Sequence, residues 1–211
     1  MQPLHIPLLP SFSKDWPKTV PSFTLEQTPW PEQFPYKPRV EVAIAHDSGH
    51  IYLHYWVQET HIRAHTEAHN GEVWKDSCVE FFVAPMGDSH YYNFEMNCIG
   101  AIRLSSGTQR QGRVPAPIAI LEKMTVTTSL EKAVFEEKSG DFAWELSAVI
   151  PVSCFFQHEI SQVNDCNLRA NFYKCGDDLS VPHYLAWQPI DTPQPDFHRP
   201  EFFGSLSLAV G

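Results

Sequence analysis

The sequence predicts an all-β protein, an antiparallel β-sandwich with few short helices. Short runs of alternating apolar and polar residues recur along the chain, which is typical of half-buried strands. Prolines, 18 of them against 10 glycines, and polar turn residues separate these runs. No segment carries the long apolar stripe of an amphipathic helix. A sandwich often reaches 211 residues as one unit, so we expect a single domain over residues 1–211.

The N-terminal half begins with a lead-in and a hairpin. Residues 1–38 are rich in proline, which excludes a long helix and predicts an extended segment packed on the domain surface. Residues 39–46 and 50–57 alternate in polarity and flank the turn Asp47-Ser48-Gly49. This pattern predicts a β-hairpin.

A second hairpin is predicted for residues 78–84 and 91–98, which flank a turn at 85–89. Residues 105–114 contain the only cluster of basic residues, and their polarity predicts a loop. A short helical piece is expected near 152–156. Further strands are expected at 124–129, 134–137, 142–150, 167–174 and 203–210.

Charge and composition exclude several classes of protein. There are 15 Lys+Arg against 25 Asp+Glu, a formal net charge of −10, which disfavours nucleic-acid binding. No apolar run approaches the roughly 20 residues of a membrane span. The first residues do not resemble a signal peptide, and the five cysteines form no CxxC pair. A cytoplasmic location is therefore favoured, with a periplasmic or secreted one as the alternative if a signal has been removed.

A row of polar side chains crosses the second predicted hairpin. If Val83 faces Tyr92, all apolar residues of both strands share one face, as a packed sheet requires. Glu80 then faces Glu95 with Cβ atoms about 5 Å apart. Asn93 and Asn97 extend the same face.

Two facing carboxylates repel each other unless a cation, a shared proton or a ligand offsets the repulsion. Sugar hydroxyls suit carboxylate and amide acceptors, so the row is a candidate sugar site. The plainer interpretation is an ordinary solvated sheet face. Trp74 precedes Glu80 by six residues and has polar neighbours, which favours a partly exposed side chain over a core one.

Histidines offer a further candidate group. His61, His65 and His69 are spaced by four, which on a helix would form a metal-binding face. Their surroundings instead predict the end of a strand followed by a loop, so metal ligation is not favoured.

Five motifs together resemble the family 9 carbohydrate-binding modules, including stand-alone members from Bacteroidetes. The resemblance covers the chain from about residue 39 to its C-terminus. It implies a DOMON-like β-sandwich of jelly-roll or immunoglobulin-like arrangement, which grips a sugar between two aromatic rings. The motifs are WKDSCVEFF (74–82), YYNFEMNxxG (91–100), RANFYKC (169–175), PHYLAW (182–187) and PDFHRPEFFG (195–204).

The resemblance also implies roles for individual residues. Trp74 matches the first aromatic ring of the clamp and Glu80 its carboxylate. Glu95 and Asn97 match a polar pair on the next strand, and Trp187 is the candidate second ring. The xylanase-linked branch of the family has an arginine where this chain has Glu95, so we expect a different sugar specificity. Some members hold structural calcium, which this sequence leaves open; no other cofactor is expected.

Three functions compete at this point. The first is non-catalytic binding of a mono- or oligosaccharide. The second is a glycoside hydrolase that uses Glu80 and Glu95, whose expected separation suits a retaining mechanism; a flat sheet face, however, would give little enclosure to raise a pKa. The third is a DOMON-like haem or redox domain with Met96 and several histidines as candidate axial ligands, although Met96 is expected to point inward and no histidine is clearly paired with it.

Overall fold

The computed structural model describes residues 2–9, 16 and 19–209. Thirteen strands in this part of the chain form two facing sheets, which confirms the predicted β-sandwich. In chain order the strands are β1 (Leu4–Ile6), β2 (Ser22–Thr24), β3 (Arg39–His46), β4 (His50–Ala64), β5 (Cys78–Ala84), β6 (Tyr91–Asn97), β7 (Ile102–Gly107), β8 (Val114–Pro115), β9 (Thr125–Thr128), β10 (Phe135–Pro151), β11 (Arg169–Cys175), β12 (Tyr184–Ala186) and β13 (Gly204–Leu208).

The larger sheet has eight strands in the order β1-β13-β11-β5-β6-β7-β8, with β12 paired to the end of β11 beyond β13. The smaller sheet has the order β2-β3-β4-β10-β9. All named pairings are antiparallel except that of β1 with β13. The proline-rich lead-in thus contributes one short strand to each sheet.

Helices are few in the described residues. The α-helix Ile118–Leu121 is four residues long, and the 3-10 helices are Val73–Lys75, Val152–Cys154, Val163–Asp165 and Pro200–Phe202. The helical piece expected near 152–156 is therefore present. Across the described chain, no helix is long and apolar enough to cross a membrane.

Two expectations about elements were wrong. Residues 102–107, partly assigned to a polar loop, form strand β7, and only the segment between β7 and β8 is a loop. The separate strands expected at 134–137 and 142–150 are one strand, β10, whose register shifts twice near Gly140. A bulge changes the side-chain alternation, so the period-two pattern stops and restarts although the pairing continues.

The hydrophobic core lies between the two sheets. Inward residues of β4 such as Leu53 and Tyr55 pack against inward residues of β5 and β6 such as Phe81 and Phe94. Met96 belongs to the same core and is fully buried, as the alternation predicted. The register of β5 with β6 also matches the prediction, with Val83 opposite Tyr92.

The outer face of the larger sheet is not solvated. A second apolar cluster covers part of it, and its members outside the sheet include Trp30, Val73, Ile190 and Phe197. These residues come from the lead-in, from the 3-10 helix before β5 and from the long segment between β12 and β13. The larger sheet therefore has the hydrophobic core on one face and a partly covered surface on the other.

An ion pair is enclosed within the sandwich. Lys174 of β11 places its Nζ 2.8 Å from Oε2 of Glu59 on β4, and neither side chain is exposed. Trp144 Nε1 donates a hydrogen bond of 2.7 Å to Glu59 Oε1. Lys174 Nζ also lies 2.7 Å from His183 Nε2 and donates to the Cys175 carbonyl at 2.9 Å. This polar group joins the two sheets through their otherwise apolar interior.

Candidate functional site

Rows of outward-facing side chains run across the strands of the larger sheet. One row consists of Tyr173, Glu80, Glu95 and Arg103, which are successive partners on β11, β5, β6 and β7. Glu80 therefore lies opposite Glu95, as the alternation predicted. A neighbouring row contains Phe82, Asn93 and Ser105.

A cavity of about 530 Å³ opens over these rows. The sheet forms its floor, with Glu80, Asn93, Glu95 and Cys175. Its walls come from Trp74, from the loop between β7 and β8, and from the segments around β12 and before β13. The aromatic and ionisable wall residues include Trp74, Arg103, Arg113, Asp177, Tyr184 and His198.

The two carboxylates are enclosed, so the expectation of a solvated sheet face was wrong. Glu80 is 3% and Glu95 4% exposed. Burial raises the pKa of Glu80 well above its ordinary value, and the charge of Glu95 raises it further. Burial also raises the pKa of Glu95, against the opposing effects of Asn93, Arg103 and Arg113. The objection to a hydrolase, that an open sheet face would not raise the pKa of a carboxyl group, therefore does not apply to Glu80 and Glu95.

Asn93 connects Glu95 to the loop wall. Its Nδ2 donates to Glu95 Oε1 at 2.6 Å, and its Oδ1 accepts from Arg113 Nε at 2.9 Å. Arg113 is held in turn by the backbone carbonyls of Tyr91 and Ser105. Glu95 Oε2 has no hydrogen-bond partner among the described residues, although it is buried. One acceptor on the cavity floor thus remains for a ligand.

Trp74 lines the cavity from a position outside the strands. The residue lies in the 3-10 helix Val73–Lys75, before β5 begins, and it is half-buried. The guanidinium of Arg103 lies 4.7 Å from the centre of its ring. One face of the indole is therefore already covered by a cation.

The structure does not bring two of the predicted site residues to the cavity. Asn97 donates to the Thr66 carbonyl and to Asp76, and its Oδ1 accepts from the Ala101 backbone, so its polar atoms hold a turn. Trp187 packs against Phe172 and Phe23 on the core side. It therefore does not form a clamp with Trp74, because the sheet lies between them.

Other candidate ligands also lie elsewhere. The described residues contain no metal-ligand group made of His61, His65 and His69. His65 Nε2 is 3.0 Å from Glu136, and His69 Nδ1 accepts a bond from the Ile102 backbone. Met96 is enclosed in the core and does not face the cavity.

A family model decides the classification. The model for carbohydrate-binding family 9 matches residues 16–208. This chain belongs to that family. The sequence resemblance that rested on five motifs is thereby confirmed over almost the whole chain.

Solved structures agree with the family 9 assignment. A candidate carbohydrate-binding protein from Bacteroides uniformis is 40% identical, with a TM-score of 0.92 over 99% of each chain. A family 9 module from Caldicellulosiruptor kristjanssonii in complex with glucose is 12% identical, with a TM-score of 0.60 over 99% of this chain and 96% of that one. A structure from the same organism in complex with cellotriose has a TM-score of 0.58 at 12% identity, over 98% and 93%. The comparison with curated proteins gives no match.

Sequence reasoning missed several cavity residues of this family 9 chain. Tyr184 and His198 lie inside motifs that carried the resemblance, yet the motifs alone did not say which residues face the ligand side. Arg113 belongs to the basic cluster, which drew attention only for its charge. Asp177 follows β11 and contacts Tyr184, and burial raises its pKa to about 6. Arg103 was missed because no strand was predicted at its position, and the end of β7 was assigned to the loop at 105–114.

The raised pKa of Glu95 predicts a change of stability with pH. Its pKa is about 7 in the folded family 9 chain, against 4.5 for an ordinary glutamate. Between roughly pH 5 and pH 7 the folded state therefore holds more protons than the unfolded one, and this residue's contribution to stability falls as pH rises. We expect Glu95→Gln to gain stability relative to wild type across that range, measured by urea unfolding.

Each variant is compared with wild type at the same pH, so that the contributions of titrating histidines to the free energy of unfolding cancel. Glu122→Gln is the matched control, because Glu122 is exposed and lies outside the cavity, and it should track wild type. If the stability of Glu95→Gln changed with pH in parallel with that of wild type, Glu95 would not hold its proton in this range.

Proposed function

We propose that the chain binds a mono- or oligosaccharide in the cavity on the outer face of the larger sheet, and that it does so without catalysis. The observation that carries the proposal is Glu95 Oε2, a buried acceptor on the cavity floor that lacks a donor from the described protein. A buried carboxylate oxygen without a partner is costly. A sugar hydroxyl supplies the missing donor.

The rest of the cavity suits the same ligand. Trp74 and Tyr184 provide aromatic surface, against which the C–H faces of a pyranose ring pack favourably. Arg103 and Asp177, which also line the cavity, add a donor and an acceptor. The cavity volume lies within the range typical of small-molecule sites.

The relatives guide the choice of ligand. Glucose and cellotriose are bound in the structures of the related family 9 modules. We therefore propose glucose and short gluco-oligosaccharides as the first ligands to test. Those modules are only 12% identical to this chain, so we expect the sugar preference to depend on the residues of this chain's own cavity.

Glu95→Gln tests the proposed contact. We expect wild type to bind one of these sugars in isothermal titration calorimetry above pH 7, where the Glu95 carboxyl group is mostly ionised. The variant should bind it about 1–3 kcal/mol more weakly, since a charged acceptor becomes a neutral one. Glu122→Gln should bind like wild type. Wild type that binds none of a panel of neutral hexoses and their oligomers would contradict the proposal.

The enclosed pair of carboxylates supports glycoside hydrolysis as a second candidate function. Glu80 and Glu95 face each other in register, and both have raised pKa values. A hydrolase would release the aryl group from an activated aryl glucoside, with a bell-shaped dependence of rate on pH. A binder returns the glycoside unchanged.

A further inference from the structure

We propose that Cys78, Glu80 and Cys175 form a zinc site at the floor of the cavity. Their Sγ and carboxylate oxygen atoms all lie within 4.8 Å of one another. Cys175 Sγ is 3.0 Å from Glu80 Oε1. Among the described residues, no other group of three such side chains meets this condition. The proposal does not depend on sugar binding, because Glu95, which carries the sugar proposal, is not one of the three ligands.

Regular strands place the three ligands. Cys78 and Glu80 are two residues apart on β5, so both point to the outer face. Cys175 is the direct partner of Cys78 on β11. Paired strands hold side chains more rigidly than a loop does, and a metal site needs this rigidity.

The spacing suits a tetrahedral ion. Zinc binds thiolate sulfur at about 2.3 Å and carboxylate oxygen at about 2.0–2.2 Å, so its ligand atoms lie roughly 3.5–3.8 Å apart. The three atoms can reach that spacing through small side-chain rotations. Glu80 and Cys175 line the cavity, so an ion can enter from it, and its fourth position would face the ligand space.

The ligand chemistry favours zinc over a hard cation. Calcium and magnesium take oxygen ligands, whereas two thiolates with one carboxylate suit a borderline-soft ion. Binding forms two zinc–thiolate bonds and one zinc–carboxylate bond, and it releases both thiol protons, together with any proton held by the Glu80 carboxyl group, to the buffer. Burial raises the pKa of Cys78 to about 12, so without a cation this thiol holds its proton.

Cobalt(II) is the probe for this site. The purified full chain, reduced with a phosphine and free of sugar, is titrated with Co²⁺ and followed by absorption. We expect one equivalent to produce a thiolate-to-cobalt charge-transfer band and the visible bands of tetrahedral cobalt. Zinc should then abolish both sets of bands by displacing the cobalt.

Variants test the ligand set. Cys175→Ser and Glu80→Gln should each weaken zinc binding by more than about 100-fold, beyond the 10–100-fold typical of outer partners. Cys166→Ser is the matched control, because Cys166 is a half-buried thiol outside the group, and it should bind like wild type. Circular dichroism verifies that each variant is folded.

Two results would overturn the proposal. One is a wild-type titration without a charge-transfer band, and the other is an unchanged band in folded Cys175→Ser. Because no sugar is present, neither result bears on the proposed carbohydrate binding. A failure to bind sugar would likewise leave the cobalt spectrum unaffected.

Discussion

We expect Lys174→Met to lower the free energy of unfolding by about 3–5 kcal/mol, the cost typical of removing one partner from a buried ion pair. Lys174 Nζ lies 2.8 Å from Glu59 Oε2, and both side chains are wholly enclosed between the sheets. Without the ammonium, the Glu59 carboxylate keeps the Trp144 donor on Oε1, and Oε2 keeps only His183 Nε2 at 3.6 Å. Denaturant unfolding, monitored by tryptophan fluorescence, measures the loss.

An exposed ion pair provides the control. Lys37 Nζ lies 2.7 Å from Glu26 Oε2, but the two side chains are 41% and 62% exposed. Lys37→Met should therefore change stability by no more than about 1 kcal/mol. The double variant Glu59→Gln/Lys174→Met should recover part of the loss, since no unpaired charge is left inside. Equal losses for Lys37→Met and Lys174→Met would contradict this account of the interior.

Trp74→Ala has the largest expected effect on sugar binding, a loss of about 2 kcal/mol or more, near 30-fold in affinity. The indole supplies aromatic surface to the cavity, and its removal also frees the Arg103 guanidinium that stacks on it. Because Trp74 is half-buried and packs against the smaller outer cluster rather than the core, we expect a smaller stability loss than the 3–5 kcal/mol of a fully buried tryptophan. Calorimetric titration and denaturant unfolding measure the two effects separately.

Trp187→Ala is the matched control with the opposite pattern. Its ring packs on Phe172 and Phe23, and a Cβ at Gly204 would come within 2.6 Å of it, so only glycine allows this approach. The variant should lose about 2–3 kcal/mol of stability and keep sugar binding. Sugar affinity that falls with Trp187→Ala and survives Trp74→Ala would reverse our assignment of the two rings.

Local alternation let the sequence predict the hairpin of β5 and β6 with its register. A slip by one residue would have moved Phe81 and Phe94 out of the core, so the apolar pattern left one acceptable pairing. The same pattern placed Glu80 opposite Glu95. It did not identify β7, because serines replace apolar residues along part of that strand.

The sequence by itself thus determined the longer sheet-forming segments other than β7, the pairing of Glu80 with Glu95 and the family motifs. Only the tertiary structure decided that this polar row is enclosed, since its roof comes from residues such as Trp30 and Phe197, far from it in the chain. It also decided that Trp187 lies on the core side, and that Cys175 meets Cys78 across β11 and β5. Alternation shows which residues share one face of a strand. Which segments pack against that face depends on long-range contacts that no local pattern encodes.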